Sequence, residues 1–232
     1  MLDSLSVTLP AYNEEASIAD TVARVIEAAG DVPALEVIVV DDGSSDDTAG
    51  IVRGLAAHDS RIRLVQHTQN QGYGAAVHSG LSVGVETSKW VFFTDGDGQF
   101  DLTELPKLTE YALGADLVIG IRRPRRDPWM RRANAWGWNR LVTLLFGRTA
   151  TDIDCAFKLM RSSALAPVLA ATESRGATYS AELLIRARRA GCRVVEVPLS
   201  GHRPRWAGSQ TGARISVIVR AAAELIRLRA RL

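Results

Sequence analysis

Val37-Ile38-Val39-Val40-Asp41-Asp42-Gly43-Ser44-Ser45 sets four apolar β-branched residues directly before two carboxylates and a turn. A continuous apolar run of this kind reads as a strand buried on both faces, and the polar residues mark its end. The same pattern recurs on either side. Val7-Thr8-Leu9 leads into Pro10-Ala11-Tyr12-Asn13-Glu14-Glu15, Ile62-Arg63-Leu64-Val65 is followed by Gln69-Asn70-Gln71-Gly72-Tyr73-Gly74, and Trp90-Val91-Phe92-Phe93 leads into Asp95-Gly96-Asp97-Gly98-Gln99. The runs recur at about the length of a strand, helix, strand unit, roughly 30 residues, and so predict successive parallel strands. Parallel strands finish on one rim of a sheet, and open α/β sheets bind ligands outside the carboxyl ends of their strands. The polar clusters therefore converge on one composite site.

Composition fits one compact α/β enzyme domain. The 232 residues contain no Pro- or Ser-rich linker, repeat or low-complexity tract, and domains of that size hold a large core. Cys155 and Cys192 form no CxxC pair, which gives no support to a zinc site or disulfide framework and leaves a reducing cytosol as the default. No basic and apolar leader opens the chain, and no apolar stretch approaches the roughly 20 residues that cross a bilayer. Charge is divided unequally: residues 1–121 hold 19 acidic against 6 basic side chains, and residues 122–232 hold 7 against 22. Acidic clusters at strand ends suit a divalent cation, while an arginine-rich half suits phosphate or an anionic surface. Arginine as plain solvated surface is the simpler alternative.

Periodicity places the helices. Ile18, Val22, Val25 and Ile26 share one face of a helix that starts near Ser17 and stops at Gly30. A second, capped by Asp46 or Asp47, carries Ile51, Leu55 and Ala56; a third begins near Ala75, and a short fourth covers residues 105–113. Residues 115–120 read as a buried strand, 129–146 as helix, 157–160 as strand, 179–190 as helix and 193–197 as a strand ended by Pro198. Residues 215–232 form an amphipathic helix with apolar Ile218, Ala222, Leu225 and Ile226 and positive Arg220, Arg227, Arg229 and Arg231.

Asp95 and Asp97 are separated by one glycine and followed by Gly98, so the backbone can turn tightly and aim both carboxylates at one point. That pattern suits Mg²⁺ or Mn²⁺, hard cations held by one or two carboxylates plus substrate phosphate oxygens. A solvated turn is the plainer role. Asp41 and Asp42 offer acceptors to a ribose or base, or else cap the next helix. Tyr12 offers an aromatic face and Glu14 an acceptor to a nucleobase, with helix-start chemistry around Asn13 as the alternative. Residues 69–74 lack a P-loop or GxGxxG pattern, and a ligand contact there is no better supported than a flexible connection.

In order, Pro10-Ala11-Tyr12-Asn13-Glu14, Asp41-Asp42-Gly43-Ser44, Asn70-Gln71-Gly72, Asp95-Gly96-Asp97 and Asp152-Ile153-Asp154-Cys155-Ala156-Phe157-Lys158 resemble the motif set of family 2 inverting glycosyltransferases with the GT-A fold. Within that family the resemblance is to the polyprenol-phosphate (dolichol-phosphate) mannosyl or glucosyl synthases. It implies a Rossmann-like, mostly parallel sheet flanked by helices in a single domain. Residues 1–214 would form the glycosyltransferase domain, and 215–232 a helix of the same domain or a membrane-surface contact. The resemblance further implies that Pro10, Tyr12, Glu14, Asp41, Asp42, Asn70, Gly72 and Gly96 bind the nucleotide. Asp95, Asp97 and Gln99 would hold Mg²⁺ or Mn²⁺ with the diphosphate, and Asp95, Asp97, Asp152 and Arg122 would form the catalytic set, Arg122 facing the phosphates. Arg131 and Arg132 match an arginine pair that receives the lipid phosphate, and Arg203 and Arg205 match a basic loop over the site. Three positions depart from the pattern: Ala156 replaces a usual glycine, Ala135 a frequent serine and Gln210 a common lysine.

A phosphate acceptor also fits on physical grounds. A phosphate monoester has a second pKa of about 6, so at neutral pH it is mostly a dianionic nucleophile that needs cations rather than a base. Arginine forks supply them. Asp152 is then an orienting carboxylate for sugar hydroxyls or an arginine; with an alcohol acceptor, Asp152 or Asp154 becomes the candidate base. Residues 122–148 hold eight arginines, one acid and Trp129, Trp136 and Trp138, a mixture found at membrane interfaces. The expected protein is a metal-dependent inverting hexosyltransferase, cytoplasmic and peripheral on the membrane. It would move a hexose from a GDP-mannose or UDP-glucose type of donor to polyprenyl phosphate. Its expected partners are the nucleotide sugar, the lipid and the membrane surface, with a separate membrane subunit as an open addition and no nucleic acid. Two readings compete: transfer to a hydroxyl of a glycan, glycolipid or natural product, and a signalling domain with Asp41 and Asp42 as an acidic phosphoacceptor pocket.

Overall fold

The structure, a computed structural model, describes residues 2–123, 129–201 and 215–232. The apolar runs of the first half are its central strands. β1 (Ser4–Ala11), β2 (Ala34–Asp41), β3 (Ile62–Gln66) and β4 (Trp90–Thr94) alternate with α1 (Ile18–Ala29), α2 (Thr48–His58) and α3 (Tyr73–Thr87). Every residue of β4 is buried, as are Val37, Ile38, Val39 and Val40 of β2, as strands covered on both faces require. A 3-10 turn (Leu102–Glu104) and α4 (Leu105–Thr109) follow, then β5 (Leu117–Arg122) and α5 (Trp129–Phe146). The chain continues through β6 (Phe157–Arg161), α6 (Ser162–Ala171), α7 (Tyr179–Arg189), β7 (Val194–Leu199) and α8 (Ile215–Arg231).

The strands form one seven-stranded sheet in the order β3-β2-β1-β4-β6-β5-β7. Neighbours are parallel except at β6, which runs antiparallel to both β4 and β5. This is the expected mostly parallel α/β sheet. The chain leaves β1 outward through β2 and β3 and returns to its other side with β4, so the crevice between β1 and β4 is a topological switch point, where such sheets bind ligands. β6 begins at Phe157 opposite Thr94, the last residue of β4. Its reversed direction therefore delivers the residues just before it, 152–156, to the same rim.

Some boundaries differ from expectation. The helix after the 3-10 turn stops at Thr109, and β7 continues through Pro198 to Leu199. Pro198 is tolerated because β7 is an edge strand and that residue is exposed. α6 was not foreseen: Ser162-Ser163-Ala164-Leu165-Ala166-Pro167-Val168-Leu169-Ala170-Ala171 offers little polar contrast, and Pro167 lies inside it. In α8, Ala221, Leu225 and Leu228 are buried while Ile226 is exposed, so part of the expected apolar stripe belongs to the core. Among the described residues, no helix is long and apolar enough to cross a membrane.

Candidate active site

Ala11 and Asp41 end β1 and β2 in register, and the turns beyond them interlock. Asn13 N–H donates to Ser44 Oγ (2.9 Å), Asn13 Oδ1 accepts from Ser45 N–H (2.9 Å), and Glu14 N–H donates to Thr48 Oγ1 (2.8 Å). Asn13 adopts a φ of 55°, a left-handed conformation that asparagine tolerates through local hydrogen bonding. It joins two loops rather than capping α1, whose N-cap is Ser17. Tyr12 stands 48% exposed on this rim, beside half-buried Pro10 and Glu14.

Asp41 and Asp42 are both buried and hydrogen-bonded to neighbouring loops. Asp41 accepts from Ser44 N–H and Gln66 Nε2, each at 3.2 Å. Asp42 Oδ1 pairs with His67 Nδ1 (2.7 Å) and accepts from Gln71 N–H (2.9 Å), while Oδ2 accepts from Gly72 N–H (2.8 Å). The loop after β3 is thus tied to a buried carboxylate. Its turn needs glycine at position 72, where φ is 98°. Asn70 in the same loop is exposed. Neither aspartate caps α2; Asp47 holds that position without a side-chain bond.

Beyond Thr94, residues 95–99 turn across the end of β1. A Cβ on Gly96 would lie 2.8 Å from the Pro10 carbonyl oxygen, so glycine permits this close approach. Thr21 Oγ1 donates to the Gly96 carbonyl (3.1 Å) and Arg24 Nη2 to the Phe100 carbonyl (3.1 Å), which fastens the turn to α1. Asp97 Oδ1 accepts from Gln99 N–H (3.2 Å), and Asp95 Oδ1 accepts from the Tyr73 hydroxyl (2.9 Å). Tyr73 is 46% exposed as a residue, but its hydroxyl faces the carboxylates, and partial loss of water there, then the charges of Asp95, Asp154 and Asp97, push the phenol well above its ordinary range. These carboxylates therefore face one region. Gln99 Nε2 is buried in the turn with no hydrogen-bond partner among the described residues. Two carboxylates fit a hard cation that completes its shell with diphosphate oxygens, and the unpartnered amide N–H₂ beside them fits a donor to those oxygens. No group of three or more His, Cys, Asp or Glu forms a metal cage among the described residues.

Arg122 and Asp152, read separately from sequence, form a bidentate pair. Arg122 Nε donates to Asp152 Oδ2 (2.8 Å) and Nη2 to Oδ1 (2.7 Å), and the Arg122 N–H adds a third bond to Oδ2 (3.2 Å). Their side chains are 12% and 5% exposed. Lys158 is buried beside them: its ammonium donates to the Cys155 carbonyl and lies 5.6 Å from the centroid of the Phe93 ring. Burial lowers the Lys158 pKa, against the opposing pull of Cys155, Asp154, Asp152 and Asp95. Cys155 is buried too, and burial first, then Asp152, push its thiol up to about 12. It is no nucleophile. Asp154 is exposed on the rim.

Arg203 and Arg205 lie outside the described residues, as do the side chains of Arg131 and Arg132 on α5. Three site residues had no role in the sequence reading: Tyr73, His67 and Lys158. Lys158 carried a usable signal, a lysine inside an otherwise apolar strand. The contacts of His67 and Tyr73 depend on how the loop after β3 folds back, which no local pattern encodes.

Residues 6–169 match the glycosyl transferase family 2 domain. The chain is 33% identical over 199 residues to undecaprenyl-phosphate mannosyltransferase of Micrococcus luteus, covering 83% of this chain and 81% of that one. It is 33% identical over 203 residues to polyprenol monophosphomannose synthase of Mycolicibacterium smegmatis, with coverage of 84% and 76%. Among solved structures it resembles glucosyl-3-phosphoglycerate synthase of Mycobacterium tuberculosis in complex with phosphoglyceric acid, with a TM-score of 0.74, 23% identity and coverage of 99% and 81%. Another structure of that enzyme, in complex with Mn²⁺, UDP and glucosyl-3-phosphoglycerate, gives a TM-score of 0.73 at 23% identity. At such identity the likeness is one of fold.

Proposed function

This chain belongs to glycosyl transferase family 2, and from that premise we propose that it transfers a hexose, with inversion, from a nucleotide sugar to polyprenyl phosphate at the cytoplasmic face of a membrane. Tyr12 and Glu14 present a ring and a carboxylate to the nucleobase. Asp41 and Asp42 hold the loops that frame it, with Pro10, Asn70, Gly72 and Gly96 along the crevice. Asp95 and Asp97 would hold Mg²⁺ or Mn²⁺, and the Gln99 amide would donate to the diphosphate. Such a cation, when bound, stabilises the charge that develops on a departing nucleoside diphosphate.

The observation that carries the choice of acceptor is the Arg122–Asp152 fork. Both oxygens of Asp152 already accept from a guanidinium, and a carboxylate held in that way is a poor proton acceptor. An acceptor that arrives as a phosphate dianion needs no base. The two relatives named for polyprenyl-type lipid acceptors point the same way. Arg131, Arg132, Arg203 and Arg205 would then supply the cations that receive the phosphate. Trp129, Trp136 and Leu144 of α5, each more than 70% exposed, support a membrane-facing side.

The test is a panel of nucleotide sugars offered with and without polyprenyl phosphate, with products identified by mass. Transfer requiring the lipid phosphate supports the proposal. Transfer to an alcohol instead would make exposed Asp154 the base and overturn it. Asp97→Asn should lower turnover by about 100-fold through lost leaving-group stabilisation. Full activity of that variant, or of wild-type protein shown to be metal-free, would remove the cation from the mechanism.

A further inference from the structure

Two sets of hydrogen bonds, joined through the backbone from Gly72 to Tyr73, link α3 to the acidic turn after β4. Ser79 Oγ pairs with His67 Nε2 (2.9 Å), and His67 Nδ1 pairs with Asp42 Oδ1 (2.7 Å). Asp42 in turn accepts from the amides of Gln71 and Gly72 at 2.9 and 2.8 Å, and the next residue, Tyr73, donates its hydroxyl to Asp95 Oδ1 at 2.9 Å. The start of α3 is clamped as well. A Cβ on Gly74 would lie 2.6 Å from the Arg175 carbonyl oxygen, so backbone meets backbone there. The Tyr73 ring packs against Phe93 of β4 with centroids 6.3 Å apart.

We propose that Tyr73 is a positioning residue for the cation site, fixing the Asp95 carboxylate through its hydroxyl while Asp42 and His67 fix Tyr73. This rests on reading Asp95 and Asp97 as cation ligands. A protonated phenol can only donate to a carboxylate. With Oδ1 held by Tyr73, rotation of the Asp95 carboxylate is restrained and Oδ2 keeps a set direction. Partners of this kind around a metal ligand typically change metal affinity by about 10- to 100-fold.

Tyr73→Phe isolates the effect, because the ring that packs on Phe93 remains. Mn²⁺ would be titrated into wild-type protein and variants with excess GDP, and separately with excess UDP, and free ion read by electron paramagnetic resonance. The variant should bind Mn²⁺ about 10- to 100-fold more weakly, with unchanged thermal midpoint and unchanged nucleotide affinity in chelator. His67→Ala should weaken Mn²⁺ in the same direction, His67→Asn should recover it through an amide donated to Asp42, and His67→Ala should add little to Tyr73→Phe. Equal Mn²⁺ affinity in wild type and Tyr73→Phe would overturn the inference and leave the cation site standing. Additive losses in the double variant would overturn the part assigned to His67. Failure of the wild-type protein to bind Mn²⁺ with either nucleotide would overturn the cation reading itself, and the inference with it.

Discussion

Arg122 and Asp152 illustrate how a charged pair behaves once water is largely withdrawn. Removing one member leaves the other in a site that is 12% or 5% exposed, and such a break typically costs about 3 to 5 kcal/mol. Asp152→Ala should therefore unfold in urea with stability lower by about 3 kcal/mol. Arg122→Met combined with Asp152→Leu should regain most of that stability without regaining activity. A single variant as stable as wild type would mean that the fork contributes nothing to the fold. The pair also marks a limit of sequence reading. Each residue stood out alone, Arg122 at a strand end and Asp152 in a motif, but their partnership follows from the direction of β6, which neither residue reveals.

Among the elements, the 3-10 turn shows how a short segment secures the end of a strand. Glu104 accepts from Ser200 N–H (3.1 Å), Ser200 Oγ (3.0 Å) and Gly201 N–H (2.9 Å) and pairs with Lys107, holding the exit of β7. Burial alone would raise its pKa, yet Lys107 and then the amides of Gly201 and Ser200 together hold it below its ordinary 4.5. A carboxyl lowered in the folded state contributes stability above its unfolded pKa that is lost as pH falls through the native value. Wild type and Glu104→Gln should thus differ in thermal midpoint at pH 7 and converge as the pH falls through the lowered native value; parallel curves would refute this assignment. α5 and α8 carry the surface question. Because Leu225 and Leu228 are core residues, deleting α8 would damage the fold and cannot probe membrane contact. Trp129→Ser with Trp136→Ser changes only exposed side chains. That variant should lose flotation with anionic vesicles, which wild type should show at low salt and lose at high salt. Indifference of wild type to the vesicles would return α5 to ordinary solvent-facing surface.

For the molecule as a whole, strand order sorts the charge imbalance in space. β3, β2, β1 and β4 come from the acidic part of the chain, and β6 and β7 from the basic part. The parallel half was legible because Val37-Ile38-Val39-Val40 and Trp90-Val91-Phe92-Phe93 are apolar on both faces and end in polar turns. The reversed strand was not, since Phe157-Lys158-Leu159-Met160-Arg161 reads alike in either direction and only its neighbours set its polarity. α6 was hidden by uniform small apolar residues, and the Tyr73–Asp95 bond by the loop geometry that joins them. The reversed strand also orders events during synthesis. β4 gains its second neighbour only when β6 emerges, and among the described residues β5 pairs with β6 and β7 alone. At about 5 to 20 residues per second, translation of residues 95–161 takes about 3 to 13 s. Over that interval the nascent chain carries Trp90-Val91-Phe92-Phe93 as an unpaired apolar edge, a ready template for wrong pairing with another chain.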